Sequence, residues 1–217
     1  MIAVPLLASV LGSKESTGMM TTMFLLGDIL AVKAYAKSGN WQDIKKLLPA
    51  VVVGIIIGGL VGNLIDDHQL KILIAILIFV CLFFMIYQEV KKTAIKVPQF
   101  WWSFALIGSL CGFASMIGNA AGPIFAVYLL AVNLDKKHYL GTMAWFFLII
   151  NLIKLPLQIF SWHNITLQTT IAALLVLPAV FLGTRLGIWV AKLLPEKTFR
   201  KIIIIMTGIG GVSMFFQ

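Results

Sequence analysis

The chain has 217 residues, of which 60% are hydrophobic and 12% charged, and its mean hydropathy is +1.01. A soluble domain carries roughly 25% charged residues, so a water-soluble fold is excluded: this sequence could not cover its own surface. The net charge of +9 sits mostly in short loops between apolar runs, which reads as topology determinants and anionic-lipid contacts rather than a nucleic-acid footprint.

Seven apolar runs reach the length of about 18 residues that crosses a hydrocarbon core. In chain order they are Thr17 to Ala36, Leu47 to Ile65, Leu70 to Gln88, Phe100 to Ile117, Tyr139 to Phe160, Leu167 to Ala191 and Phe199 to Phe216. Lys33, Lys154 and Arg185 interrupt them. The segments Met1 to Leu11 and Pro123 to Leu134 are apolar but too short for a full straight span, so half-helices or re-entrant segments are predicted. The residues after Met1 carry no basic n-region and no cleavage pattern, so the helices themselves direct insertion.

The chain repeats itself. Pro49-x4-Gly54-x3-Gly58, with Leu70-Lys71 after it, recurs as Pro178-x4-Gly183-x3-Gly187 with Phe199-Arg200, a constant offset of 129. Val4, Leu6, Leu7, Ala8, Leu11, Lys14, Gly18, Met20 and Asp28 face Val127, Leu129, Leu130, Ala131, Leu134, Lys137, Gly141, Met143 and Asn151 at an offset of 123. One transmembrane domain, 1–217, is expected, with a first repeat over about 1–90 and a second over about 98–217. The counterpart of the helix Phe100 to Ile117 maps before Met1, so the first repeat reads as N-terminally incomplete.

Loop charge orients the repeats. Lys37, Lys45 and Lys46 read as inside, Asp66-Asp67 as outside, and Lys91, Lys92 and Lys96 as inside; Asp135-Lys136-Lys137 is inside, Ser161 to Asn164 outside, and Lys192, Lys197, Arg200 and Lys201 inside. Corresponding loops of the two repeats take opposite sides, the arrangement of inverted repeats in secondary transporters. The fold class is therefore all-α: a polytopic transmembrane helix bundle of two inverted repeats with short broken or re-entrant helices.

Chemistry is sought where polarity lies at membrane depth. The break from Gly118 to Pro123 interrupts two apolar segments, and non-helical backbone there must line a cavity or be buried in protein. It exposes helix N-terminal amides that attract anions, with Pro123 suited to the first position of the following helix and Ser115, Asn119 and Gly122 beside it. The alternative is a plain hairpin turn whose glycines serve packing. Asn151, Lys154 and Gln158 share one helix face, and Asp28 is the repeat counterpart of Asn151. Intramembrane ionisable groups are functional candidates: Lys154 would neutralise an anion or pair with Asp28, with snorkelling as its alternative. Asp28 is a protonation site or a structural hydrogen-bonding group. Thr142 would donate to a ligand or to backbone. Lys33 and Arg185 lie nearer their helix ends, where snorkelling is expected. Cys81, Cys111, His68, His138 and His163 have no metal-ligand spacing, and no nucleophile with a base or paired acids appears. No catalytic residue, metal or cofactor is assigned.

Gly112-Phe113-Ala114-Ser115-Met116-Ile117-Gly118-Asn119-Ala120-Ala121-Gly122-Pro123, then Tyr128-Leu129-Leu130, Gly141-Thr142 and Asn151-Leu152-Ile153-Lys154, resemble the TauE/SafE sulfite exporter family. The resemblance covers nearly the whole chain and is most specific from Gly108 to Pro156. Asn119, Ala120 and Ala121 stand where the family's usual run is Gly-x-Gly-Gly. The resemblance implies a cofactor-free, multi-pass carrier of the bacterial inner membrane that moves sulfite, an organosulfonate or a related organosulfur or carboxylate anion.

The function expected is secondary transport of such an anion by alternating access, with Ser115, Gly118, Asn119, Gly122, Pro123, Thr142, Asn151 and Lys154 binding it and Asp28 and Gln158 in coupling or structural roles. The rivals are a non-transporting membrane scaffold and a membrane-embedded enzyme. The expected partners are a small-molecule anion and membrane lipids, with no nucleic acid; assembly as a homo-oligomer is an open alternative.

Overall fold

The computed structural model describes residues 13–64 and 100–215, and between them positions 66, 68, 69, 72, 76, 79, 80, 83, 86 and 87. The segment Met1 to Leu11, Asp67, Cys81, Lys91, Lys92, Lys96 and most of the run Leu70 to Gln88 lie outside the described residues. Eight α-helices are described over these residues: α1 (Ser13–Tyr35), α2 (Trp41–Val61), α3 (Trp101–Gly118), α4 (Ala121–Ala131), α5 (Lys136–Phe160), α6 (Leu167–Leu175), α7 (Leu177–Leu193) and α8 (Glu196–Phe215). A single 3-10 turn, Ala36–Ser38, follows α1. Five spans are long and apolar enough to cross a membrane: Ser16–Ser38, Trp41–Val61, Trp101–Gly118, Lys136–Phe160 and Leu167–Leu193.

Local chemistry sets the helix limits. The Asn40 carboxamide oxygen accepts from the Gln42 and Asp43 N–H groups and caps α2, while its Nδ2 donates to the Asp43 carboxylate at 2.8 Å, near the positive end of the helix. Thr166 and Thr169 form a reciprocal cap at the start of α6. The expected span Leu167 to Ala191 is two helices that part at Val176. Pro178 lacks the N–H that would bond the Leu174 carbonyl, and its ring crowds that carbonyl. Pro49, by contrast, sits inside an unbroken α2.

The predicted break from Gly118 to Pro123 is narrower than expected. Only Asn119 and Ala120 leave the helical path, with Asn119 left-handed at φ 54 and ψ 28. The helix resumes at Ala121, so Pro123 stands third in α4 rather than first. Asparagine tolerates the left-handed region better than other residues with a Cβ, which suits Asn119 to this turn.

α2 and α3 pack backbone to backbone. A Cβ on Gly54 would fall 2.1 Å from the Ser109 carbonyl oxygen, and one on Gly112 would fall 2.1 Å from that of Val51. The same Pro-x4-Gly-x3-Gly spacing on α7 leads to no such contact: among the described residues nothing lies within 4 Å of a Cβ on Gly183 or Gly187. α7 has no buried residue, and Leu182, Leu186, Trp189 and Leu193 are exposed, a surface suited to lipid. α4 is enclosed; its Phe125 ring stacks on Phe146 of α5 at 3.7 Å between centroids.

The loops gather at two ends. At one, Asn40 donates its N–H to Thr142 Oγ1, Trp145 donates to the Ala36 carbonyl, Lys136 donates to the Leu194 carbonyl and Arg200 donates to Asn133. This joins the loops bearing Lys37, Lys45 and Lys46 to those bearing Lys136, Lys137 and Lys192. At the other, Trp162 donates to the Gly59 carbonyl and Asn63 donates to Ser161. α3 starts at the basic end, where Lys46 lies over the Phe104 ring, and α4 returns there. With 11 residues, α4 spans about 16 Å at 1.5 Å per residue, roughly half a hydrocarbon core. The α3–α4 hairpin turns at Asn119, level with the Gly58 and Gly59 end of α2, where the Asn119 side chain is held by α5 and α1.

Candidate functional site

Three elements converge on that turn. α5 carries Asn151, Lys154 and Gln158 on its inner face, at 2%, 0% and 0% exposure. α3 ends with Ser115 four residues before Asn119. α1 presents Thr17, Thr21, Phe24 and Asp28, spaced by four, three and four residues and so aligned on one helix face.

Lys154 Nζ donates to the Ser115 carbonyl at 3.3 Å, to Ser115 Oγ at 3.4 Å and to Asn119 Oδ1 in a short contact. Three acceptors match the three N–H donors of an ammonium group. Asn119 is fixed in turn, its Nδ2 donating to the Thr17 carbonyl at 3.1 Å. The α3 turn is thereby bound to α5 through a cation and to α1 through an amide. Residues with a Cβ rarely hold the left-handed conformation, and these two contacts hold Asn119 in it.

Asp28 does not pair with Lys154. Its Oδ2 accepts from Asn151 Nδ2 at 2.6 Å, and no ion pair joins it to Lys154 among the described residues, although the two charges act on one another. Of the two partners expected for Lys154, the neighbouring contacts are neutral oxygens.

A cavity of about 210 Å³ opens beside this network, lined by Phe24, Asp28, Ser115, Asn119, Gly122, Phe147 and Asn151. It lies below the range of about 300–1,000 Å³ typical of sites for drug-sized ligands and so suits a small solute. A second cavity, about 300 Å³, runs between α1, α5 and α7 toward the basic end, past Tyr35, Leu140 and Ala191. Asp28 and Phe147 belong to the walls of both.

The sequence-predicted residues divide accordingly. Ser115, Asn119, Gly122 and Asn151 line the central cavity, and Lys154 holds two of them from behind. Gly118 is buried in the last turn of α3 and Pro123 in the first turn of α4, and neither reaches the cavity wall. Gln158 is buried one turn beyond Lys154, and its amide oxygen and nitrogen have no hydrogen-bond partner among the described residues. Thr142 is twelve residues from Lys154, about 18 Å along α5; it accepts from Asn40 and donates to the His138 carbonyl at 2.6 Å, stitching the α1–α2 connection. Lys33 and Arg185 are exposed, Arg185 lying over the Phe181 ring. Thr17, Thr21, Phe24 and Phe147 were not expected at the site. The spacing of the α1 residues around Asp28 was a readable signal for three of them; nothing in the sequence distinguished Phe147 from its apolar neighbours. Among the described residues no group of three or more His, Cys, Asp or Glu is placed to hold a metal.

Comparison with known proteins gives one match. The sequence model of the family described as Sulfite exporter TauE/SafE matches residues 1–214. No curated protein and no solved structure matches the chain. The family is one of exporters rather than enzymes, its membrane location agrees with the five spans among the described residues that are long and apolar enough to cross a bilayer, and nearly every residue lies within the match. The chain belongs to the TauE/SafE sulfite exporter family and is a multi-pass inner-membrane transport protein.

Proposed function

We propose that this protein carries a small sulfur oxyanion, sulfite or an organosulfonate, across the inner membrane by alternating access, with the anion bound in the central cavity. The observation that carries this reading is Lys154: a wholly buried cation at the turn of the α3–α4 hairpin, beside a small cavity. An isolated ammonium in a membrane costs several kcal/mol, and neutral oxygens alone offset only part of that. The Asp28 carboxylate acts on the Lys154 ammonium across the cavity, and an arriving anion adds a counter-charge on the Lys154 side. Ser115, Asn119 and Asn151 offer neutral polar groups around the cavity, and the N-terminal turn of α4 offers N–H groups at Gly122.

Two repeats of opposite orientation would give the two access states. Asp28 and Asn151, equivalent at the offset of 123, are hydrogen-bonded to each other; equivalent positions meet in this way where two repeats face one another across a pseudo-two-fold axis. The axis would then pass beside the cavity, so rocking one repeat against the other opens either side with little change at the centre. Gln158, buried beyond Lys154 with no amide partner among the described residues, would contact the anion when the site opens away from the basic end.

Flux of ³⁵S-sulfite into proteoliposomes tests the reading. Saturable counterflow that K154M abolishes supports it, and counterflow indistinguishable from protein-free liposomes removes it.

A further inference from the structure

The central cavity poses an electrostatic problem. A site for an anion has, as the one ionisable carboxyl or amine on its wall, a carboxylate. The same is true of the vestibule toward the basic end, and it is the same residue, Asp28. Lys154 is near but faces Ser115 and Asn119.

The groups around Asp28 narrow what offsets its charge. From α5 come Lys154 and the neutral Asn151. α7 contributes Thr184 to the vestibule, while its Arg185 and Lys192 are exposed. α3 contributes no charged side chain, its Cys111 being buried against other residues, and α6 has no titratable residue. On α1 itself, Lys33 is exposed and Tyr35 lines the vestibule. Among the described side chains, one cation and one carboxylate therefore set the charge at the site. With both ionised the empty site is neutral, and a monoanion entering it adds an uncompensated charge at low dielectric, which is strongly unfavourable. A proton bound to Asp28 restores neutrality.

We propose that Asp28 binds one proton for each monoanion that enters the central cavity, so that anion and proton cross the membrane together. The proton forms an O–H bond on the Asp28 carboxyl and returns to water when the anion leaves; Asn151 Nδ2 can donate to the carboxyl in either state. Because Asp28 lines both cavities, the vestibule gives the proton a path to the basic, cytoplasmic end while the anion occupies the centre. The proposal rests on the transport reading of this same site.

The test uses purified wild-type, D28N and D28E protein in proteoliposomes, with ³⁵S-sulfite and valinomycin with potassium holding the membrane potential at zero. Counterflow at equal pH on both sides measures transport alone; accumulation driven by a pH gradient measures coupling. Wild type is expected to show both, with accumulation rising about tenfold per pH unit at one proton per monoanion. In D28N the accumulation ratio is expected to fall to one at every pH gradient, whatever its rate of counterflow, and D28E is expected to restore accumulation with its pH midpoint moved by about half a unit or more. Sulfite speciation is common to all three proteins, so differences between them report Asp28. Equal accumulation by D28N and wild type overturns the proposal. So does an unshifted midpoint in D28E. Absence of counterflow in wild type removes the transport reading, and this proposal with it.

Discussion

Replacing Lys154 with methionine separates what the residue does for stability from what it does for transport. Methionine has nearly the same length and no charge, so it leaves little void. The substitution takes one donor each from the Ser115 carbonyl and Asn119 Oδ1, at about 1–1.5 kcal/mol for each hydrogen bond lost, while the Asn119 N–H and Thr21 Oγ1 still donate to them. It also removes the cost of holding an ammonium in the membrane, about 2.5–3.5 kcal/mol on insertion scales. The two nearly offset, so K154M is expected to insert and purify with a melting temperature within a few degrees of wild type. An anion bound beside Lys154 loses its one buried counter-charge, and breaking a buried ion pair costs about 3–5 kcal/mol. At about 1.4 kcal/mol per decade, ³⁵S-sulfite counterflow should fall by a factor of about 10² to several times 10³, the floor of most flux assays. K154R, which keeps the charge in a larger planar group, should retain part of the flux. Wild-type flux in a well-folded K154M protein would refute the placement of the anion beside Lys154.

The glycines of the repeated Pro-x4-Gly-x3-Gly helix give a paired test: G54A drives a methyl group into the Ser109 carbonyl and should destabilise by several kcal/mol, whereas G183A meets open space and should be neutral or slightly stabilising in a thermal melt in detergent. At the hairpin tip, N119G keeps the left-handed turn but loses both amide contacts, so reduced flux with a nearly intact fold is expected; N119A adds about 1–2 kcal/mol of backbone strain and should melt lower than N119G. An N119A melting temperature equal to that of N119G would show that the turn is not under that constraint. Gln158 buries an amide without a partner among the described residues, so Q158M is expected to stabilise by about 1–3 kcal/mol while impairing net flux; lower stability would mean that the amide is satisfied.

Much of the architecture was legible because a bilayer imposes simple rules. Runs of apolar residues marked the five spans found among the described residues, the loop lysines identified ends that the folded chain brings together, and Pro178 marks where α6 and α7 part, although hydropathy alone merged them into one span. The hairpin break was legible to within a few residues, since Gly118 and Gly122 are helical and only Asn119 and Ala120 turn the chain. The polar face of α5 was visible from spacing alone. What it contacts was not, because Lys154 can reach the Ser115 and Asn119 oxygens only after α3 and α5, well separated in sequence, have packed.

The sequence by itself determined that this chain lives in a membrane, where its helices run, and which few polar residues sit at depth, because hydropathy and periodicity are properties of consecutive residues. Only the tertiary structure decided that Asn151 rather than Lys154 bonds Asp28, that Thr142 serves a loop about 18 Å from Lys154, and that glycines at identical spacing are locked against a carbonyl on α2 and open on α7. Those outcomes depend on which helix surfaces meet, and close packing within a membrane is set by the shapes of both partners, information that no single segment contains.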